Sequence, residues 1–144
     1  MRDAIFLGLH EAGAPVSIPF LGGSVRAGFP SPADDFAVKR QDLNELLITH
    51  PNATFFWESR GLSMLLSGIG DRDILVVNRA LTPPEGSIVV AAIDNDFTVK
   101  HLHRRAGSIY LRAADPTYPV FRPKEGQTLI VYGLVTASIT RFRW

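Results

Sequence analysis

The sequence predicts a mainly β protein, a compact β-domain with one short helix that follows a flexible N-terminal arm. From position 54 onward, short β-branched or aromatic runs alternate with turn signals, and no helical pattern separates them. The first 32 residues instead hold five of the 12 glycines and four of the 10 prolines, so ordering them costs much backbone entropy. We therefore expect an arm over residues 1–40 and a sandwich or barrel over residues 41–144.

One helix and six strands are predicted after the arm. The helix covers Asp42–Ile48, because Asp42 can cap it, Glu45 lies three residues on as in a capping box, and Pro51 follows its end. The predicted strands are Thr54–Trp57, Ile74–Val77, Ile88–Ile93, Phe97–Leu102, Ser108–Leu111 and Leu129–Val135. Strands that are joined by turns rather than by helices are typical of an all-β domain.

Composition excludes several classes of protein. A chain of 144 residues that is 46% hydrophobic and 20% charged is expected to fold as one globular domain. The net charge of +1 gives no sign of nucleic-acid binding by bulk electrostatics. The absence of cysteine excludes disulfides, thiol nucleophiles and thiolate metal sites. No stretch approaches the roughly 18 apolar residues of a membrane span, and the N-terminus lacks the pattern of an export signal. A soluble cytoplasmic protein is therefore expected. No cofactor is expected either.

Ser63 is the candidate nucleophile. Gly61 allows a sharp bend before it, which can expose the hydroxyl and aim backbone N–H groups at one point. A serine needs a base to take its proton, and no histidine stands in a recognisable Ser-His-Asp signature. The histidines are His10, His50, His101 and His103. By composition alone, a serine in such a turn is more often structural.

Lys100 is the candidate base. Strand alternation places it on one face with Thr98 and Leu102. Burial disfavours the charged form of a lysine, so a lysine in a dry cleft can accept a proton from Ser63. On an open hairpin face the same side chain would be solvated, which is the usual role of a strand lysine.

The arm offers a substrate. In an extended chain Val25 and Ala27 point the same way, while Arg26 points away. A cleft with one apolar and one small pocket would hold both and place the Ala27–Gly28 carbonyl at the nucleophile, paired along a strand edge. Taken alone, the segment is a flexible linker.

Four segments, in this order, resemble the UmuD family of DNA-damage-response proteins. They are Val25–Pro32, Asp42–Thr54, Gly61–Met64 and Phe97–Lys100. The serine and the lysine lie 37 residues apart, as in the family. The resemblance runs from about position 20 to about position 135, and the catalytic domain also resembles that of LexA-type repressors.

The resemblance implies a LexA-like β-domain that cuts its own arm with a Ser-Lys dyad. Ser63 matches the nucleophile and Lys100 the base, and the Ala27–Gly28 bond matches the cut, with Val25 as a recognition residue. The backbone N–H groups of Leu62 and Ser63 would form the oxyanion hole. Alanine before the cut and leucine before the serine replace the cysteine and aspartate usual in UmuD, which is closer to LexA.

The resemblance also implies partners and a pathway. The intact protein would be a homodimer, and a RecA filament on single-stranded DNA would promote the cut in the SOS response. The trimmed dimer would be the accessory subunit of a Y-family, UmuC-like polymerase in mutagenic translesion synthesis. No membrane partner and no sequence-specific DNA binding are expected.

Three alternatives remain open. They are a non-cleaving module that regulates a polymerase, a LexA- or phage-repressor-type regulator without its DNA-binding domain, and a signal-peptidase-like enzyme. Only 27 residues precede Gly28, too few for the helix-turn-helix domain of a LexA repressor. His101 and His103 are suitably spaced for a metal, but no third ligand is evident and no metal site is expected.

Overall fold

The structure is a computed structural model that describes residues 3–11, 13–15, 17–21 and 38–142. The chain divides into two compact units, one of Met1–Glu11 with His50–Trp144 and one of Ala12–Thr49. The described strands are β1 (Ala4–Leu9), β2 (Ser17–Leu21), β3 (Val38–Asp42), β4 (Thr54–Ser59), β5 (Ile74–Asn78), β6 (Ile88–Ile93), β7 (Asp96–Arg105), β8 (Ser108–Arg112) and β9 (Leu129–Ile139).

In the larger unit, the described strands form one antiparallel sheet of seven strands in the order β1-β4-β5-β9-β6-β7-β8. All six predicted strands are present, most of them longer by one to four residues. The mainly β prediction is therefore confirmed. The boundary predicted between the arm and the domain at residue 40 stays a prediction.

Strand β1 is an element that the sequence analysis did not predict, because it lies in the glycine- and proline-rich segment assigned to the arm. It pairs with β4 from Ala4, opposite Ser59, to Leu9, opposite Phe55. The register shifts between Phe6 and Gly8, which marks an irregularity in the pairing. β1 thus forms one edge of the sheet, and its N-terminal end lies beside the C-terminal end of β4.

Strands β6 and β7 are buried on both faces, and this burial positions the site. Val90 pairs with Val99 and packs into one apolar cluster, which also contains Trp57. On the other face, Val89 pairs with Lys100 and packs into a second apolar cluster. A lysine on β7 at this position therefore lies inside the protein, which is the opposite of the usual solvated strand lysine.

The smaller unit contains the predicted helix. α1 (Leu43–Leu47) begins after Asp42, whose carboxylate accepts a 3.0 Å hydrogen bond from the Asn44 N–H. The predicted cap is confirmed, and the helix is one residue shorter at each end than predicted. In this unit β2 pairs with β3 as an antiparallel ladder. None of the described helices is long and apolar enough to cross a membrane.

Candidate active site

The turn that follows β4 presents a buried serine. Gly61 has φ +85°, in the left-handed region that favours glycine, and its N–H donates a 2.7 Å hydrogen bond to the Asp71 carboxylate. Ser63 is buried, whereas Leu62 before it is 55% exposed. The bend expected from Gly61 therefore exists, but it turns the serine side chain inward.

The loop after β8 is hydrogen-bonded to this turn. The Asp115 N–H donates a 3.1 Å hydrogen bond to the Ser63 carbonyl, and the Ala114 N–H donates to the Met64 sulfur at 3.3 Å. Asp115 is fixed in turn, because the Thr117 N–H and hydroxyl both donate to its carboxylate and lower the pKa of that carboxyl below its usual value. The backbone of the nucleophile candidate is thus held by a second loop.

Lys100 and Ser63 meet in the structure, although they are 37 residues apart in the chain. The Lys100 Nζ lies 3.1 Å from the Ser63 Oγ, and each residue is only 6% exposed. The same nitrogen lies 3.0 Å from the Thr98 hydroxyl and 3.1 Å from the Val99 carbonyl. The two predicted catalytic side chains therefore share one desolvated site with direct hydrogen-bond contact.

Asp3 is a member of this site that sequence analysis missed. Its carboxylate forms an ion pair with the Lys100 ammonium, accepts a 3.0 Å hydrogen bond from the Val99 N–H and lies 3.4 Å from the Ser63 hydroxyl. The Arg60 N–H donates to the Asp3 carbonyl at 2.8 Å, which fixes the backbone just before β1. No local pattern around position 3 signals this role, because it depends on the pairing of β1 with β4.

This arrangement can activate a hydroxyl once the lysine is neutral. An unprotonated amine 3.1 Å from the Ser63 Oγ can take the serine proton, and the hydroxyl oxygen then becomes a nucleophile. An ammonium has no lone pair and cannot do so.

The histidines contact other groups, and one of them forms a second serine-base pair. The His101 Nδ1 lies 2.7 Å from the Gly86 carbonyl, so its Nε2 is the acceptor for the Ser67 hydroxyl at 2.7 Å. Ser67 is exposed, unlike Ser63. The Ser67–His101 pair can therefore serve as an internal control in tests of the Ser63 site. Within the described residues, no group of three or more histidine, aspartate or glutamate side chains could hold a metal ion.

The predicted substrate residues Val25, Ala27 and Gly28 lie outside the described residues. The oxyanion hole expected from the N–H groups of Leu62 and Ser63 also stays a prediction.

Comparisons with known proteins identify the family of the chain. A protein-family model described as Peptidase S24-like matches residues 19–136. The chain is 42% identical to the protein ImpA of Salmonella typhimurium over 125 residues, which cover 87% of this chain and 85% of ImpA. It is 41% identical to the protein MucA of Escherichia coli over 124 residues, 85% of this chain and 84% of MucA. It is also 32% identical to the LexA repressor of Shewanella woodyi over 137 residues, 94% of this chain but 64% of that repressor.

Proposed function

The chain belongs to the Peptidase S24-like family, and on that premise we propose that it is a serine peptidase that cuts its own Ala27–Gly28 bond. Ser63 is the nucleophile and Lys100 the general base. The observation that carries the proposal is the 3.1 Å contact between the Lys100 Nζ and the Ser63 Oγ in a site where both residues are 6% exposed. A base within hydrogen-bond reach of a hydroxyl, in a site that excludes water, is the arrangement that activates a serine.

The reaction would proceed through an acyl-enzyme. The neutral Lys100 amine takes the proton of Ser63 as the Oγ attacks the Ala27 carbonyl carbon, and the oxyanion is stabilised by the backbone N–H groups of Leu62 and Ser63. The resulting ammonium then gives its proton to the Gly28 nitrogen as the C–N bond breaks. Water, deprotonated by the same lysine, hydrolyses the ester and leaves a carboxylate on Ala27.

The UmuD-type relatives support a place for this cut in the response to DNA damage. In this proposal the protein is a homodimer, and a RecA filament on single-stranded DNA promotes cleavage by favouring the arm conformation that reaches Ser63. The trimmed dimer then joins a Y-family, UmuC-like polymerase for translesion synthesis. Proteolysis thus acts as a switch on a polymerase accessory subunit.

A time course of the purified protein at alkaline pH tests the chemistry. We expect a product of 117 residues, the 144 of the chain less the 27 before the cut, with Gly28 at its new N-terminus by Edman sequencing or mass spectrometry. Ser63→Ala and Lys100→Ala should abolish the product. Ser67→Ala is the matched control, because Ser67 lies four residues after Ser63 and its hydroxyl is paired with the His101 imidazole rather than with Lys100.

The outcomes separate the proposal from its alternatives. Cleavage that survives Ser63→Ala but is lost in Ser67→Ala would move the nucleophile to the Ser67–His101 pair. An intact parent chain, with and without RecA, ATP and single-stranded DNA, would favour a non-cleaving polymerase module. Cleavage of an unrelated peptide by the trimmed form would favour the signal-peptidase-like alternative.

A further inference from the structure

We propose that the dyad is also a carboxylate-binding site, and that in the intact chain it is filled by Asp3, so that residues 3–9 inhibit the peptidase intramolecularly. This inference rests on the proposed function and concerns its regulation. Asp3 is placed at the site by β1, which is a strand of the same sheet that carries Lys100. We name residues 3–9 the strap.

The Asp3 carboxylate contacts both catalytic side chains and a strand-edge donor beside them. One oxygen pairs with the Lys100 ammonium and lies 3.4 Å from the Ser63 Oγ. The other oxygen accepts the Val99 N–H at 3.0 Å. The β7–β8 ladder begins only at His101, so this N–H lies at a part of β7 that β8 does not cover. The carboxylate therefore blocks the nucleophile, the base and an adjacent strand-edge donor together.

The ion pair also engages the nitrogen that has to act as the base. Among the described residues, Asp3 is the one charged side chain within ion-pair distance of Lys100. The pair is poorly screened, because the lysine side chain is 8% exposed and the aspartate side chain 17% exposed. The other hydrogen-bond partners of the Lys100 Nζ among the described residues are neutral. They are the Ser63 hydroxyl, the Thr98 hydroxyl and the Val99 carbonyl. Removal of the Asp3 charge should therefore free the Lys100 nitrogen to act on the Ser63 hydroxyl.

The strap is attached firmly enough to occupy the site and weakly enough to leave it. It is anchored by its ladder with β4 and by the Phe6 ring, which packs edge-on against Trp57 with centroids 5.2 Å apart. Against this, the strap is an edge strand with a register shift after Phe6, and Ile5, Leu7 and Leu9 are each more than 40% exposed. An edge strand with this little burial is a candidate for local opening without global unfolding.

Asp3→Asn in the full-length chain tests the inference, with Glu11→Gln as the matched control. Glu11 is an exposed acidic residue beyond the other end of β1, so each variant loses one negative charge beside the same strand, but only Asp3 lies at the dyad. We expect Asp3→Asn to cleave at least about tenfold faster than the parent near neutral pH, because its Lys100 no longer has a carboxylate partner. Glu11→Gln should cleave at the parent rate.

Asp3→Ala and a serine-directed fluorophosphonate probe guard against a folding artefact. Both Asp3 variants should keep the far-ultraviolet circular dichroism of the parent, and both should label Ser63 faster than the parent does. Equal or slower cleavage of either folded variant would overturn the inference and leave the proposed function standing. Absence of both cleavage and Ser63 labelling in every variant would overturn the inference and the proposed function together.

Discussion

The ion pair between Asp3 and Lys100 should be visible in stability as well as in rate. In a Ser63→Ala background, which cannot cut itself, Lys100→Met leaves a carboxylate with 17% of its side chain exposed and no cation beside it. Breaking a fully buried pair from one side costs about 3–5 kcal/mol, and we expect about 2 kcal/mol here because water reaches Asp3. Asp3→Asn should cost about 1 kcal/mol, since the Lys100 Nζ keeps the Thr98 hydroxyl and the Val99 carbonyl as partners.

The double variant is the decisive measurement. The double variant loses the hydrogen bonds of the pair, but it no longer has to bury an ammonium. Its loss of unfolding free energy should therefore be about 1 kcal/mol rather than about 3 kcal/mol, the sum of the two single losses. Urea unfolding followed by tryptophan fluorescence gives the four free energies, and the coupling energy should be about 2 kcal/mol. Hydrogen exchange at the β1–β4 ladder would show whether the loss is local. Additive single effects, within about 0.5 kcal/mol, would refute the ion pair.

Three further expectations concern the supports of the site. Thr98→Val keeps the shape of a fully buried side chain but removes the acceptor 3.0 Å from the Lys100 Nζ, so self-cleavage measured by gel should fall about three- to tenfold without loss of fold. Gly133→Ala would place a methyl group 2.8 Å from a valine methyl and 3.1 Å from a backbone carbonyl of β5, and should lower the free energy of unfolding by about 1–3 kcal/mol in urea. The pKa of Asp115 is lowered in the folded protein, so its stabilising effect is present above the unfolded-state pKa and is lost as the pH falls through the folded-state pKa. Amide exchange around Ser63 should therefore rise in acid in the parent but not in Asp115→Asn.

Strands β4 to β9 and the short helix could be predicted because their signals are local. The β-branched and aromatic runs of β4 to β9 and the cap at Asp42 depend on residues within a few positions of one another. β1 could not be predicted in the same way. Its Ala-Ile-Phe-Leu-Gly-Leu run is short and interrupted by glycine, and its strand conformation depends on a partner about 50 residues away in the sequence. Such non-local pairing overrides the composition of a segment.

The site shows the same division. Ser63 and Lys100 could be proposed from sequence only because their order and separation resembled a family, since each alone was more often a structural residue. Their approach to 3.1 Å depends on the β4 turn and on β7, which no local pattern connects. No sequence pattern marks Asp3 as a site residue, and its position at the dyad follows from the β1–β4 register.

Asp3 lies on the N-terminal side of the Ala27–Gly28 bond, in the segment that cleavage would release, and this placement gives the proposed switch its direction. Before cleavage, the carboxylate must leave Lys100 for the arm to be processed, so slow opening of the strap keeps the peptidase off. After cleavage at Ala27–Gly28, the strap is no longer covalently joined to the domain, and its effective concentration at the dyad falls from that of a tethered segment to that of a free peptide. Loss of β1 would also leave β4 as the edge of the sheet, with unpaired backbone groups that can accept another strand. One cut would therefore remove the inhibitor, make the change irreversible and open a new docking edge.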